Sequence, residues 1–160
     1  FFSKRFSGRS ARKIYWALTT GVPTPRRGKI DGALIKRAAA DGRERMRLAE
    51  EGEDDDAKNA VTLFDTIDHV TTMAWVALMP LTGRTHQLRV HCQAMGWPIV
   101  GDPIYGKGRS EATRPLLHAL SLSFIHPITQ TFLALNAPVP HDMRKYIATL
   151  TQGSNYEGIC

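Results

Sequence analysis

Short stretches of alternating apolar and polar residues, separated by turn residues, constrain the fold of this 160-residue chain most strongly. Residues 13–20 give the clearest case, because two sets of side chains would face opposite sides of a strand: Ile14, Trp16 and Leu18 against Lys13, Tyr15 and Ala17. Similar segments predict further strands at residues 30–36, 60–68, 73–79, 116–125 and 131–135. Residues 38–56 predict an exposed hairpin or loop, with Met46 and Leu48 in a short strand.

Helical periodicity is confined to a few segments. Residues 85–95 predict a helix whose apolar stripe is Leu88, Cys92 and Met95, and Gly96 would end it. Residues 142–150 predict a second helix, and residues 1–7 could be the last turns of another. Many strands and few helices indicate the α+β class, with a mixed, largely antiparallel sheet.

The length suits one domain, which we assign to residues 1–150, with residues 151–160 as a flexible tail. The longest nearly apolar run, Met73 to Leu81, is far shorter than the roughly 20 residues of a membrane-spanning helix. The start is too short and basic for a signal peptide and lacks Met, which suggests that the chain begins inside a longer gene product. Cys92 and Cys160 are expected to be free thiols in a reducing compartment, the cytoplasm or alternatively the mitochondrion.

Charge is distributed unevenly. Residues 1–47 contain thirteen Lys or Arg and three acids, whereas residues 50–56 contain six acids. This asymmetry favours a polyanionic partner on the basic side, although a solvated surface would explain a moderate excess equally well.

Residues 81–92 (LTGRTHQLRVHC) are the densest candidate site. A glycine turn followed by a helix would place Arg84, Thr85, His86 and Gln87 in the first helical turn, where backbone N–H groups favour anions. The alternative is an ordinary amphipathic helix with its polar residues in water. Zinc binding by His86, His91 and Cys92 is disfavoured, because the two histidines would lie roughly 140° apart around a helix.

Two further residues could take part in chemistry. Tyr15 could stack on a base or transfer a proton, or it could be a simple strand aromatic. Asp102 could be a nucleophile, but an aspartate before proline in a glycine-flanked loop is more typical of a turn.

Two runs resemble the RluA family of RNA pseudouridine synthases: LTGRTHQLRVH at residues 81–91 and GWPIVGDPIYG at residues 96–106. RKIYWALTTG at residues 12–21 is similar to the tyrosine strand of that family, and LLHA at 116–119 and FLALNAP at 132–138 are similar to its closing strands. The resemblance extends from about residue 9 to 147. It implies an incomplete pseudouridine synthase catalytic fold.

The resemblance also implies roles. Tyr15 would stack on the target base and help as a general base, and Arg89 would pair with the catalytic aspartate. Asp102 would be a loop aspartate that is not the nucleophile. Candidate RNA-binding residues are Arg84, Thr85 and His86, with Arg12, Lys13, Arg45 and Arg47 as further candidates. The implied reaction isomerises uridine to pseudouridine in RNA without a metal or organic cofactor, and large-subunit ribosomal RNA is preferred to transfer RNA. We also expect a monomer that does not associate with membranes.

One departure is large. The aspartate of the family lies in a His-Arg-Leu-Asp type motif about thirty residues before the tyrosine, and no such motif occurs in this sequence. We therefore expect the nucleophile to lie before Phe1, and these 160 residues to be inactive alone. The alternative is a module that binds RNA without modifying it.

Overall fold

The computed structural model describes residues 11–53, 55–108 and 110–152. In these ranges the strands are β1 (Arg12–Thr20), β2 (Arg27–Asp31), β3 (Leu34–Ala38), β4 (Glu44–Leu48), β5 (Val61–Val70), β6 (Met73–Pro80), β7 (Leu117–Ile125) and β8 (Phe132–Asn136). The helices are α1 (Gln87–Ala94) and α2 (His141–Thr151). The predictions for residues 1–7 and Cys160 lie outside the described residues.

Six strands form one antiparallel sheet in the order β2-β5-β6-β1-β7-β8, and β3 and β4 form a separate hairpin. The predicted α+β class with a largely antiparallel sheet is therefore confirmed. The single strand predicted at residues 30–36 was wrong, because the chain changes sheets at Gly32. Ile30 pairs with Thr62 in the large sheet, whereas Leu34 pairs with Leu48 in the hairpin.

Each face of the large sheet is covered by one helix. On β1, Ala17 packs in a cluster with Leu88 and Cys92 of α1. Leu18, the next residue, packs with Met143 and Leu150 of α2. Because successive side chains of a strand point to opposite faces, β1 separates two apolar cores. Neither helix in the described ranges is long and apolar enough to cross a lipid bilayer.

Helix α1 is shorter than the sequence predicts. It begins at Gln87 because His86 adopts a left-handed backbone conformation, with φ of 54°, which cannot continue a right-handed helix. It ends as predicted at Gly96, where the Gly96 N–H donates to Gln93 and the Trp97 N–H donates to Cys92. Met95 caps the helix and is 44% exposed, so only two residues of the predicted stripe are buried.

The segment after α1 docks on the sheet through its backbone. The Val100 N–H donates to the Leu18 carbonyl at 2.9 Å, and the Leu116 N–H donates to the Val100 carbonyl at 2.8 Å. Gly101 follows with φ of 76°, and a Cβ atom at this position would lie 2.2 Å from the Arg114 carbonyl oxygen. Only glycine fits there, and the close approach fixes the loop that carries Asp102.

This close approach predicts unequal costs for two glycine substitutions. Gly96→Ala strains only a left-handed backbone in open space and should cost about 1–2 kcal/mol of unfolding free energy. Gly101→Ala adds a collision with backbone, which should cost about 1–3 kcal/mol more. Urea denaturation of both variants measures the difference, and equal losses of stability would contradict the assigned packing.

Candidate active site

A cleft of about 180 Å³ opens between β1, the end of β6 and the start of α1. Its lining includes five residues predicted from the sequence to form a site: Lys13, Tyr15, Arg84, His86 and Arg89. The other lining residues are Pro80, Thr82, Gly83, Gln87, Leu88 and Leu117. Residues separated by about seventy positions in the sequence therefore meet around one cavity.

Tyr15 lies in the middle of the sheet, where β1 pairs with both neighbours. Its Cα partners are Leu78 on β6 and Ala119 on β7, and the register with β7 shifts between Ile14 and Tyr15. Its half-buried side chain packs against the α1 core and also borders a larger, mainly apolar groove of about 410 Å³ beside β7 and β8. Tyr15 thus presents an aromatic ring at the junction of two open cavities.

The turn that precedes α1 is held by the side chain of Gln87. Its Oε1 accepts hydrogen bonds from the Thr82 hydroxyl at 2.7 Å and from the Arg84 N–H at 3.0 Å. Its Nε2 donates to the Val61 carbonyl at 2.9 Å and to the Thr62 hydroxyl at 3.0 Å. Gln87 therefore ties the turn to strand β5, which fixes the backbone from which Arg84 projects.

His91 and Cys92 belong to the interior and are not part of the cleft. The two ring nitrogens of His91 lie 2.9 Å from the Thr62 hydroxyl and 3.2 Å from the Gly32 carbonyl, and burial lowers its pKa. Cys92 is buried in the α1 core, and burial raises the pKa of its thiol. His86 faces the cleft, so the three residues do not converge.

Arg89, a partly exposed residue of the cleft lining, forms an ion pair with the buried Asp102. Arg89 Nε and Nη2 each donate to one oxygen of Asp102 at 2.7 Å, and the Asp102 side chain is fully buried. Asp102 Oδ1 also accepts the backbone N–H groups of Ile104 and Tyr105, each at 2.9 Å. Burial raises the pKa of Asp102, but the Arg89 bond and the two N–H groups outweigh it, so the pKa lies below its usual value.

The sequence reasoning missed Tyr105. Its hydroxyl lies 3.0 Å from His86 Nδ1 and accepts the Met46 N–H at 3.2 Å. Its ring lies 4.9 Å from the guanidinium carbon of Arg89. Tyr105 thus joins the β3–β4 hairpin to the cleft. The sequence feature that could have identified Tyr105 is its place in the run GDPIYG, three residues after Asp102, which was the only residue of that run considered as a site residue.

Four other predicted RNA-binding residues lie outside the cleft. Arg12 is exposed at the start of β1, and Thr85 lines a neighbouring cavity of about 560 Å³. Arg45 pairs with Asp41. Arg47 donates two hydrogen bonds of 2.7 Å to Glu53.

Described acids of the segment that follows β4 therefore contact the basic β3–β4 hairpin. Glu53 contacts both Arg47 and Arg37, and Asp56 contacts Arg37 at 3.2 Å. The Arg47 hydrogen bond, the Glu50 N–H and the two arginine charges lower the pKa of Glu53 to about 2. Part of the basic excess predicted to face a polyanion is thus neutralised within the chain.

Comparison with known proteins identifies the class to which this fold and site belong. Residues 2–94 match the sequence profile of the family described as RNA pseudouridylate synthase. The dual-specificity RNA pseudouridine synthase RluA of Pasteurella multocida is 36% identical over 138 residues, which are 84% of this chain and 60% of that protein. The ribosomal large subunit pseudouridine synthase D of Zymomonas mobilis is 31% identical over 149 residues, which are 88% of this chain and 45% of that protein.

The solved structure of human RNA pseudouridylate synthase domain containing 1 matches with a TM-score of 0.72 and 29% identity, covering 92% of this chain and 69% of that one. The chain belongs to the RNA pseudouridylate synthase family, and the RluA-type resemblance is confirmed. It spans only about half the length of several of its relatives.

The burial of Asp102 in its pair with Arg89 predicts a large cost when its charge is removed. Asp102→Asn keeps an oxygen that can accept the two backbone N–H groups but leaves Arg89 uncompensated, so it should cost about 3–5 kcal/mol. Asp142→Asn is the matched control, because Asp142 makes the same 2.7 Å contact with Arg114 at the surface and should cost about 1 kcal/mol or less. Urea denaturation compares the two variants, and similar costs would refute the assigned burial.

Proposed function

We propose that the protein to which this chain belongs isomerises uridine to pseudouridine in RNA. The observation that carries the proposal is the convergence of Tyr15, Arg84, His86 and Arg89 on one cleft in a member of this family. A tyrosine ring can stack on an unpaired base, and arginine side chains pair with phosphate or carboxylate groups. The target uridine has to leave its stack to reach the cleft.

We also propose that the nucleophilic aspartate comes from outside these 160 residues. Asp102 is a poor candidate, because Arg89 and two backbone N–H groups already occupy its oxygens. Tyr15 and Arg89 cannot carry out covalent catalysis without a nucleophile. In the proposed reaction the aspartate attacks the nucleoside and the N1–C1′ bond breaks. The base turns and C5 bonds to C1′, the aspartate is released, and the C5 hydrogen leaves as a proton while N1 gains one. No metal or organic cofactor takes part.

The proposed substrate is ribosomal RNA of the large subunit, in preference to transfer RNA. The Zymomonas mobilis relative supports this choice by its name. Residues 43–47 (RERMR) resemble the basic segment of family members that act on large-subunit ribosomal RNA. Arg45 and Arg47 pair with acids of this chain, which weakens that support. We propose a monomer in the cytoplasm, with the mitochondrion as the alternative; the buried free thiol of Cys92 is in keeping with a reducing compartment.

Tritium release from RNA containing 5-tritiated uridine tests the activity of the complete protein. Tyr15→Phe keeps the stacking ring but removes the hydroxyl, so it should lower kcat about 100-fold or more if that hydroxyl transfers a proton. Tyr146→Phe, in the core on the other face of the sheet, should leave the rate unchanged. Background release by the wild-type protein on every RNA tested would reject the proposal.

A second function, RNA binding without modification, is favoured by one observation. Arg84 and Gly83 line both the cleft and the neighbouring 560 Å³ cavity, whose lining also includes Lys36, Arg37 and Lys58 and one acid, Asp56, which pairs with Arg37. Basic side chains thus continue from the cleft across an adjoining groove, which suits an RNA backbone.

Salt titration tests this groove as an RNA-binding surface. The logarithm of affinity should fall linearly with the logarithm of salt concentration, and Arg84→Ala or Lys58→Ala should reduce the slope by about 0.7 for each phosphate that the variant no longer neutralises. Lys145→Ala, on α2, is the control and should not change the slope. Binding without tritium release by the complete protein would select the binding module over the enzyme.

A further inference from the structure

We infer that Tyr105 is a positioning residue that holds His86 as a neutral imidazole protonated on Nε2. His86 would then offer an N–H donor from the cleft wall to an oxygen of the bound RNA. This inference rests on the proposed RNA-directed function, because it assumes that RNA occupies the cleft. It assigns a role to a tyrosine that lies outside the cleft and has no part in the proposed chemistry.

The direction of one hydrogen bond to the Tyr105 oxygen supports the assignment. The Met46 N–H can only donate, so the Tyr105 oxygen is its acceptor at 3.2 Å. The phenolic hydrogen can then be directed to His86 Nδ1, 3.0 Å away, since the described residues offer it no other acceptor. A neutral imidazole that accepts at Nδ1 carries its proton on Nε2.

The surrounding charges also favour the neutral ring. Burial and the positive charge of Arg89 lower the pKa of His86, and the negative charge of Asp102 opposes them. Asp102 is bound to Arg89 through both oxygens. The other ionisable groups around the cleft are Lys13, Tyr15 and Arg84, with Tyr105 behind His86. The lowered pKa of His86 therefore disfavours a protonated ring in the cleft.

The backbone of His86 gives an independent reason to assign its side chain a function. Its φ of 54° lies in the left-handed region, which few residues other than glycine adopt, although histidine, asparagine and aspartate do so more often than the rest. Its side chain makes no capping hydrogen bond to α1, although it occupies the N-cap position. Strained backbone of this kind tends to be retained where a side chain has to be presented in a particular direction.

Tyr105 also connects His86, the proposed hydrogen-bond donor, to the β3–β4 hairpin. Its ring packs with Leu34 on β3 and Val90 on α1, and Met46, whose N–H it accepts, lies on β4. The position of the hairpin therefore determines where the phenol, and through it the imidazole, is held. A displacement of the hairpin when RNA binds would change the hydrogen bond to His86 directly.

Long-range proton–nitrogen NMR of the histidine side chains tests the tautomer without RNA. Wild-type His86 should show a proton on Nε2 and none on Nδ1. Tyr105→Phe should give a mixture of tautomers, and Tyr146→Phe should leave the His86 signals unchanged. Detection of the proton on Nδ1 in the wild type, or an unchanged tautomer in Tyr105→Phe, would overturn the role of Tyr105.

The RNA affinity of the complete protein tests whether His86 donates a hydrogen bond to bound RNA. His86→Ala should weaken binding about tenfold, the effect of removing one hydrogen bond, whereas Tyr105→Phe should weaken it about twofold if half of the His86 rings keep the proton on Nε2, and the double variant should be no weaker than His86→Ala. His86→Asn, which tolerates the left-handed backbone and keeps an N–H donor, should recover part of the affinity. Additive effects of the two substitutions would show that Tyr105 acts only through the fold and would overturn the inference.

Two modified RNAs show whether a base carbonyl or a phosphate oxygen accepts the hydrogen bond from His86 Nε2. An abasic site at the target position removes the base carbonyls, whereas a methylphosphonate linkage beside it removes a charged phosphate oxygen. Tyr105→Phe should have no effect on the RNA that lacks the acceptor, and an undiminished effect on both RNAs would overturn the donor role. Failure of the wild-type protein to bind RNA, with the expected tautomer present, would instead reject the proposed function.

Discussion

The ion pair between Arg89 and the buried Asp102 is the interaction on which the rest of the site depends. It joins α1 to the loop after Gly101, and the same carboxylate fixes the turn that carries Tyr105. Tyr105 in turn contacts His86 and the Met46 N–H of the hairpin. A single carboxylate thus connects three segments that are distant in sequence, and its charge is compensated without contact with solvent.

Strand alternation allowed most of the sheet to be predicted, because burial on one face leaves a period of two in the sequence. The break at Gly32 was missed because it depends on contacts from elsewhere. The Gly32 carbonyl accepts from His91, and a Cβ there would lie 2.7 Å from a methyl group of Leu48. The start of α1 was misplaced for a similar reason, since the left-handed conformation of His86 leaves no mark in hydrophobic periodicity.

The cleft could be predicted only in part. Tyr15 and Arg89 were identified through motifs, whereas the bonds made by Gln87 and Tyr105 depend on which strands lie beside α1. The charge pattern was the least reliable guide. A sequence count treats the basic residues 1–47 and the acids at 50–56 as separate blocks, but folding brings Glu53 against Arg37 and Arg47. Exposed pairs of this kind contribute little to stability, yet they reduce the positive potential that RNA would meet.

The geometry of Arg89 limits how a nucleophilic aspartate could enter the cleft. Asp102 binds the edge of the guanidinium formed by Nε and Nη2. A second carboxylate would have to approach the edge that includes Nη1, because the five donors of the planar fork have fixed directions. Arg89 would then lie between two carboxylates, with Asp102 holding the arginine in place and the second carboxylate facing the base. In this arrangement the ion pair does not compete with the proposed chemistry, because it orients the cation on which that chemistry depends.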